Sequence, residues 1–94
     1  MLEHNYLPNI KYDSTKEIIV QILSKKWPLS LKELTIEINT YYRIRISTQA
    51  IYKVLNQLKT EKIIERIELK YKLDAKWIEK MQKLINSINQ NYSD

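Results

Sequence analysis

The chain contains no glycine among its 94 residues. Glycine alone enters the left-handed region of backbone space without a steric penalty, so its absence restricts how this chain can reverse direction. Every turn must be made by Asn, Asp, Ser, Pro or an ordinary side chain held under strain. Gly-rich phosphate loops and the dinucleotide-binding fingerprint are excluded, because both need backbone positions that only glycine tolerates.

Helix starts are well marked. Ser14-Thr15-Lys16-Glu17 has the form of a capping box, with Ser at the N-cap and Glu three residues on. It predicts a first helix with Ile18, Ile19, Ile22 and Leu23 facing inward, ending at Trp27-Pro28 because the residue before proline leaves the helical region. Trp27 is expected to cap the core. Ser30-Leu31-Lys32-Glu33 is a second box, opening a helix that buries Leu31, Leu34, Ile38 and Tyr41. Asn39 to Ile46 then alternates Arg43 and Arg45 with Ile44 and Ile46, which predicts extended chain with the isoleucines inward.

Ser47 to Lys59 reads as a helix with two unlike faces. Ser47 is placed to cap it. Ile51, Leu55 and Leu58 recur at i, i+4 and i+7, with Val54 beside them, forming a core stripe. Thr48, Gln49, Tyr52, Lys53 and Asn56 occupy the other side. Gln and Asn pair with adenine edges, Lys reaches guanine or phosphate, and Thr and Tyr touch methyl groups or the backbone. Such a face either reads DNA bases or is the solvated side of an ordinary amphipathic helix.

From Arg66 to Leu73 apolar and charged residues alternate, the mark of half-buried strand. Ile63 to Leu73 accommodates two strands of four or five residues with a very short turn, or one strand with a ragged start. Asp74 then caps a last helix, from Ala75 to about Tyr92. Its Ile78, Met81, Ile85, Ile88 and Tyr92 keep a 3-4-3-4 spacing, with Trp77 and Leu84 alongside. That stripe is broader than so small a core can cover, and pairing with a second copy is the expected way to bury it. The alternative is a helix folded back on its own domain. Trp77 and Ile78 are expected to stay in the home core.

The net charge of +5 is unevenly placed. Residues 41–76 hold nine basic side chains against four acidic ones, while the segments on either side are balanced. A localised positive field favours a polyanionic partner. Catalytic chemistry finds little to work with. There is no cysteine, and the single histidine, His4, lies in a predicted N-terminal arm of residues 1–13. The spacing of His4 with Glu3 or Asp13 matches no zinc motif. Carboxylate pairs such as Glu33 and Glu37 sit among lysines and read as surface ion-pair partners. The expectation is a non-enzyme without metal or cofactor. The longest apolar run is Ile18-Ile19-Val20, and Met1 to Asn5 lacks the regions of a signal peptide, so no membrane association and a cytoplasmic location are expected.

The order of elements, together with Pro28-Leu29-Ser30-Leu31-Lys32-Glu33-Leu34, Ile46 to Leu58 and Ile63-Ile64-Glu65-Arg66, resembles the winged helix-turn-helix regulators of the PadR, MarR and ArsR groups. PadR is nearest, with its Tyr at the place of Tyr52 and its Leu-x-x-Leu at Leu55 and Leu58. The chain is also similar to small archaeal and archaeal-virus regulators, through Tyr71, Leu73 and Trp77. The likeness covers about residues 14–80. It implies a mainly α (α+β) fold: a winged helix-turn-helix domain over residues 14–74, with a short β wing, and a C-terminal dimerisation helix over residues 75–94. It further implies a homodimeric transcription regulator of double-stranded DNA with no evident small-molecule effector. Base-reading positions fall on Thr48, Gln49, Tyr52, Lys53 and Asn56. The wing falls on Arg66 to Lys72, with Arg43, Arg45, Arg66, Lys70 and Lys72 toward the DNA backbone and Ile78, Met81, Ile85, Ile88 and Tyr92 toward the second copy. Lys62 stands where these families place the glycine that ends the helix, so a left-handed lysine or a different cap is expected there. A rival expectation is a winged-helix module that holds another protein in a transcription or virion assembly.

Overall fold

A computed structural model describes residues 11–93. The elements run α1 (Lys11–Lys25), β1 (Leu29–Ser30), α2 (Leu31–Tyr41), α3 (Thr48–Thr60), β2 (Ile64–Ile67), β3 (Lys70–Leu73) and α4 (Ala75–Ser93). Among the described residues the fold is α+β, four helices with one three-stranded antiparallel sheet in the order β1-β3-β2. His4 and most of the predicted arm lie outside the described residues.

The first helix starts earlier than its capping box predicts. It is already helical at Lys11, so the expected boundary after residue 13 moves and Ser14 sits inside the helix rather than at its N-cap. A Ser-x-x-Glu sequence marks a start only where the residues before it break the helix, and Lys11-Tyr12-Asp13 do not.

Three helices and the hairpin share one aliphatic core. Ile19, Ile22 and Leu23 of α1, Leu34 and Ile38 of α2, and Ile51, Leu55 and Leu58 of α3 are buried together with Ile64, Tyr71 and Leu73 of the sheet. Leu31, Ile44, Ile46, Trp77 and Ile78 pack against this cluster from its edges. Two aromatic expectations are overturned. Trp27 is 47% exposed, lying on the outer face of the sheet with the Lys72 ammonium 5.7 Å from its ring centre. Tyr41 is 69% exposed, and its neighbour Tyr42 is the half-buried one, donating its hydroxyl to Gln21 Oε1 at 3.4 Å.

Helix ends are closed by side chains and by strained backbone. Ser30 Oγ accepts from the Glu33 N–H at 3.1 Å while the Glu33 carboxylate accepts from the Ser30 N–H at 2.8 Å, the reciprocal box the sequence predicts. Ser47 Oγ accepts from the Ala50 N–H at 3.1 Å, and Asp74 Oδ1 from the Trp77 N–H at 3.0 Å. Without glycine, the left-handed positions fall to Arg43, Lys62 and Glu68, at φ 54°, 62° and 58°. At the end of α3 the Lys62 N–H donates to the Lys59 carbonyl and the Ile63 N–H to the Leu58 carbonyl, each at 2.9 Å. That pair of bonds is a Schellman closure, with Ile63 packing near Leu58 as the motif requires. Glu68 and Leu69 form the two-residue loop of the hairpin. Positive φ at the first of them alone is the sign pattern of a type II′ turn.

Two substitutions test this account by reversible denaturation. Lys62→Gly is expected to raise stability by about 1 kcal/mol, because it removes a left-handed side chain at a position glycine tolerates. Ser47→Ala is expected to lower it by about 1 kcal/mol through loss of the cap.

Candidate nucleic-acid interface

The orientation of α3 follows from its stripe. With Ile51, Leu55 and Leu58 sealed against α1 and α2, the helix is fixed in rotation, and Thr48, Gln49, Tyr52 and Lys53 emerge exposed on the opposite side. Asn56 is half-buried, so of the five predicted base-reading residues it stands at the margin. The approach to α3 departs from the extended chain that the alternation predicts, since Asn39 to Tyr41 still belong to α2 and Arg43 is left-handed. What holds is the alternation itself, with Arg43 and Arg45 exposed and Ile44 and Ile46 turned inward. The Ile46 N–H donates to Asn39 Oδ1 at 3.3 Å, tying this segment back to α2.

The hairpin divides the predicted backbone-contacting residues between its two faces. Cross-strand partners share a face, and Arg66 pairs with Tyr71, while Lys72 pairs with Glu65 and Lys70 with Ile67. Arg66 therefore lies on the side that meets α3, with its guanidinium 5.8 Å from the centre of the Tyr71 ring. Lys70 and Lys72 lie on the other side. Lys70 Nζ stands 4.0 Å from Glu33 Oε1, and Lys72 is drawn over Trp27. Arg66 is thus brought to the exposed Thr48 and Tyr52 of α3, whereas the two lysines extend the positive surface around the outside of the hairpin.

Between α2, α3 and the hairpin lies a cleft of about 440 Å³. Thr48, Tyr52, Arg66, Leu69, Ile36 and Lys32 contribute to its walls. Ile36, Leu69 and Lys32 were absent from the sequence-based site. Ile36 had a legible signal, since it falls off the Leu31, Leu34, Ile38 stripe and must point outward. Leu69, 72% exposed, had none, because its exposure comes from the position of the turn. Beneath the cleft Tyr71 is buried, and burial pushes its phenol above the ordinary value of 10.0, partly offset by the Arg66 charge beside it. The phenol is therefore neutral near pH 7, a fixed apolar floor rather than a charged group. On the other side of the hairpin, the backbone bond from Ser30 holds the Glu33 carboxyl below its ordinary range, with help from the Ser30 hydroxyl and Lys70.

Among the described residues no group of three or more His, Cys, Asp or Glu side chains is placed to hold a metal ion, and no helix is long and apolar enough to cross a membrane. No protein-family model, curated protein or solved structure matches the chain.

Because Arg66 opposes the effect of burial on Tyr71, Arg66→Ala is expected to move the Tyr71 titration further upward. Tyrosine ring NMR shifts followed through alkaline pH measure this, with Tyr71→Phe assigning the resonance; an unchanged midpoint would place the guanidinium elsewhere.

Proposed function

We propose that the protein is a winged helix-turn-helix regulator that binds double-stranded DNA as a homodimer. In this reading α2 and α3 are the helix-turn-helix pair, α3 is the recognition helix and the β2–β3 hairpin is the wing. The observation that carries it is the locked rotation of α3, which sets Thr48, Gln49, Tyr52 and Lys53 outward together, within the segment that holds the chain's whole surplus of positive charge. A helix of this width enters a major groove about 12 Å wide. Gln49, Tyr52 and Lys53 then read base edges, and Asn56 joins at the margin. Arg43 and Arg45 hold phosphates on the approach to the helix.

On the wing, contact belongs to the strands rather than the tip. Glu68 and Leu69 carry no positive charge to the turn, so Arg66 faces the groove beside Thr48 and Tyr52 while Lys70 and Lys72 hold backbone phosphates. Two copies would set their recognition helices about 34 Å apart, in successive major grooves of one duplex face. The role is one of binding rather than catalysis, requires no metal or cofactor, and places the protein in the cytoplasm, with the DNA it regulates. The exposed stripe of α4 also supports the rival reading, a winged-helix module that holds another protein in a transcription or virion assembly.

Titration of duplex DNA at several salt concentrations tests this. The logarithm of affinity is expected to fall linearly with the logarithm of salt, by about 0.9 per phosphate neutralised. Lys70→Ala should weaken every sequence alike and reduce that slope by about 1. Gln49→Ala should instead cost about 1–3 kcal/mol of discrimination between sites. A flat salt response overturns the assignment.

A further inference from the structure

We propose that two copies pair through α4 in antiparallel register, with Tyr92 of each filling a groove at the root of the other's α4. This rests on the homodimer reading above and does not depend on DNA.

The first support is the symmetry of the stripe. Ile78, Met81, Ile85 and Ile88 are spaced 3-4-3, which reads the same in both directions. Turned end for end about a two-fold axis between Met81 and Ile85, the face meets its own copy with Ile78 beside Ile88 and Met81 beside Ile85. Identical patches related by a two-fold axis are what a self-complementary interface requires. Ile85 and Ile88 are exposed in the single chain, and so is Leu84 on the flank, while Met81 and Ile78 are half-buried, Ile78 resting partly on its own core.

The second support is charge. By helical spacing Lys76, Glu79, Lys80 and Lys83 fall away from the stripe, which is flanked instead by Gln82 and Asn89 on one side and Leu84 and Asn91 on the other. A charged partner would find nothing to pair with on this face, whereas a second copy meets no repulsion.

The third support is where Tyr92 arrives. In this register it overhangs the 3-4-3 block by one turn and reaches the level of Asp74 to Trp77 on the other copy. There the protein has a groove of about 640 Å³ between α1 and the start of α4, walled by Val20, Leu58, Ile63 and Trp77, with Lys16, Glu17 and Gln21 of α1 along its rim. Tyr92 is 86% exposed in the single chain. An aromatic ring so placed and an open groove beside Trp77 complement each other only when the helices run in opposite directions. Parallel helices would set Tyr92 against Tyr92 and leave the groove unfilled.

The chain has no cysteine, so single cysteines report the register cleanly. Ile78→Cys and Ile88→Cys are prepared separately, and sedimentation equilibrium first establishes the oligomeric state. Disulfide cross-links are expected only when the two variants are mixed, since in antiparallel register each position lies about 15 Å along the axis from its own copy and beside the other. A monomer overturns both the homodimer reading and the register. A dimer in which each variant links to itself keeps the homodimer and overturns the antiparallel register. In a Trp27→Phe background, Tyr92→Ala is expected to shift Trp77 emission to longer wavelength and to raise the dimer dissociation constant about tenfold or more. A dimer unchanged on both counts overturns the placement of Tyr92.

Discussion

The buried aliphatic cluster joining α1, α2 and α3 is the contact on which everything else depends. Ile19, Leu23, Leu34, Ile38, Ile51, Leu55 and Leu58 are sealed from solvent, and three of the seven belong to α3. A helix gripped along one stripe cannot roll, so its remaining faces acquire fixed directions. The polar side of α3 is displayed because the apolar side is occupied. Truncating one of these side chains to alanine typically costs about 2–5 kcal/mol, a large share of the stability of any small domain. Loss of the display and loss of the fold are therefore closely linked.

The hairpin adds a second layer of control. It hangs on the core through Ile64, Tyr71 and Leu73, and the pairing of Leu29 with Tyr71 brings in the chain just before α2. Its two faces have different electrostatic characters. The inner face sets one guanidinium over a neutral, buried phenol, next to α3. The outer face carries Lys70, 4.0 Å from Glu33, and Lys72, over the Trp27 ring. Positive charge is thus spread in two directions around one narrow ribbon.

Much of this was legible in the residues. The N-caps at Ser30, Ser47 and Asp74, the inward isoleucines before α3 and the buried stripe of α3 all follow from spacing and cap chemistry that act within a few residues. What escaped was set by partners distant in sequence. Strand β1 is two residues long and has no period to read. Trp27 and Tyr41 are hydrophobic in type, yet their exposure depends on which surface passes above them. The hairpin is the most instructive case. Arg66, Lys70 and Lys72 share even numbers and look like one face, but a two-residue loop pairs even positions of β2 with odd positions of β3. The face changes parity across the turn. Without Asn-Gly or Asp-Gly to mark the loop, the sequence left that change of parity unplaced.

The strand order β1-β3-β2 also has a consequence for how the molecule behaves among its neighbours. β3 pairs with β2 along its length and with β1 at Lys70 and Tyr71, so β2 is left as a rim with one row of backbone donors and acceptors unclaimed by the sheet. Such a rim can recruit passing chains into growing aggregates. Here it is four residues long and carries Glu65 and Arg66 at its middle, charges of both signs that an incoming strand would have to accommodate. The ribbon can therefore project from the body without seeding its own precipitation.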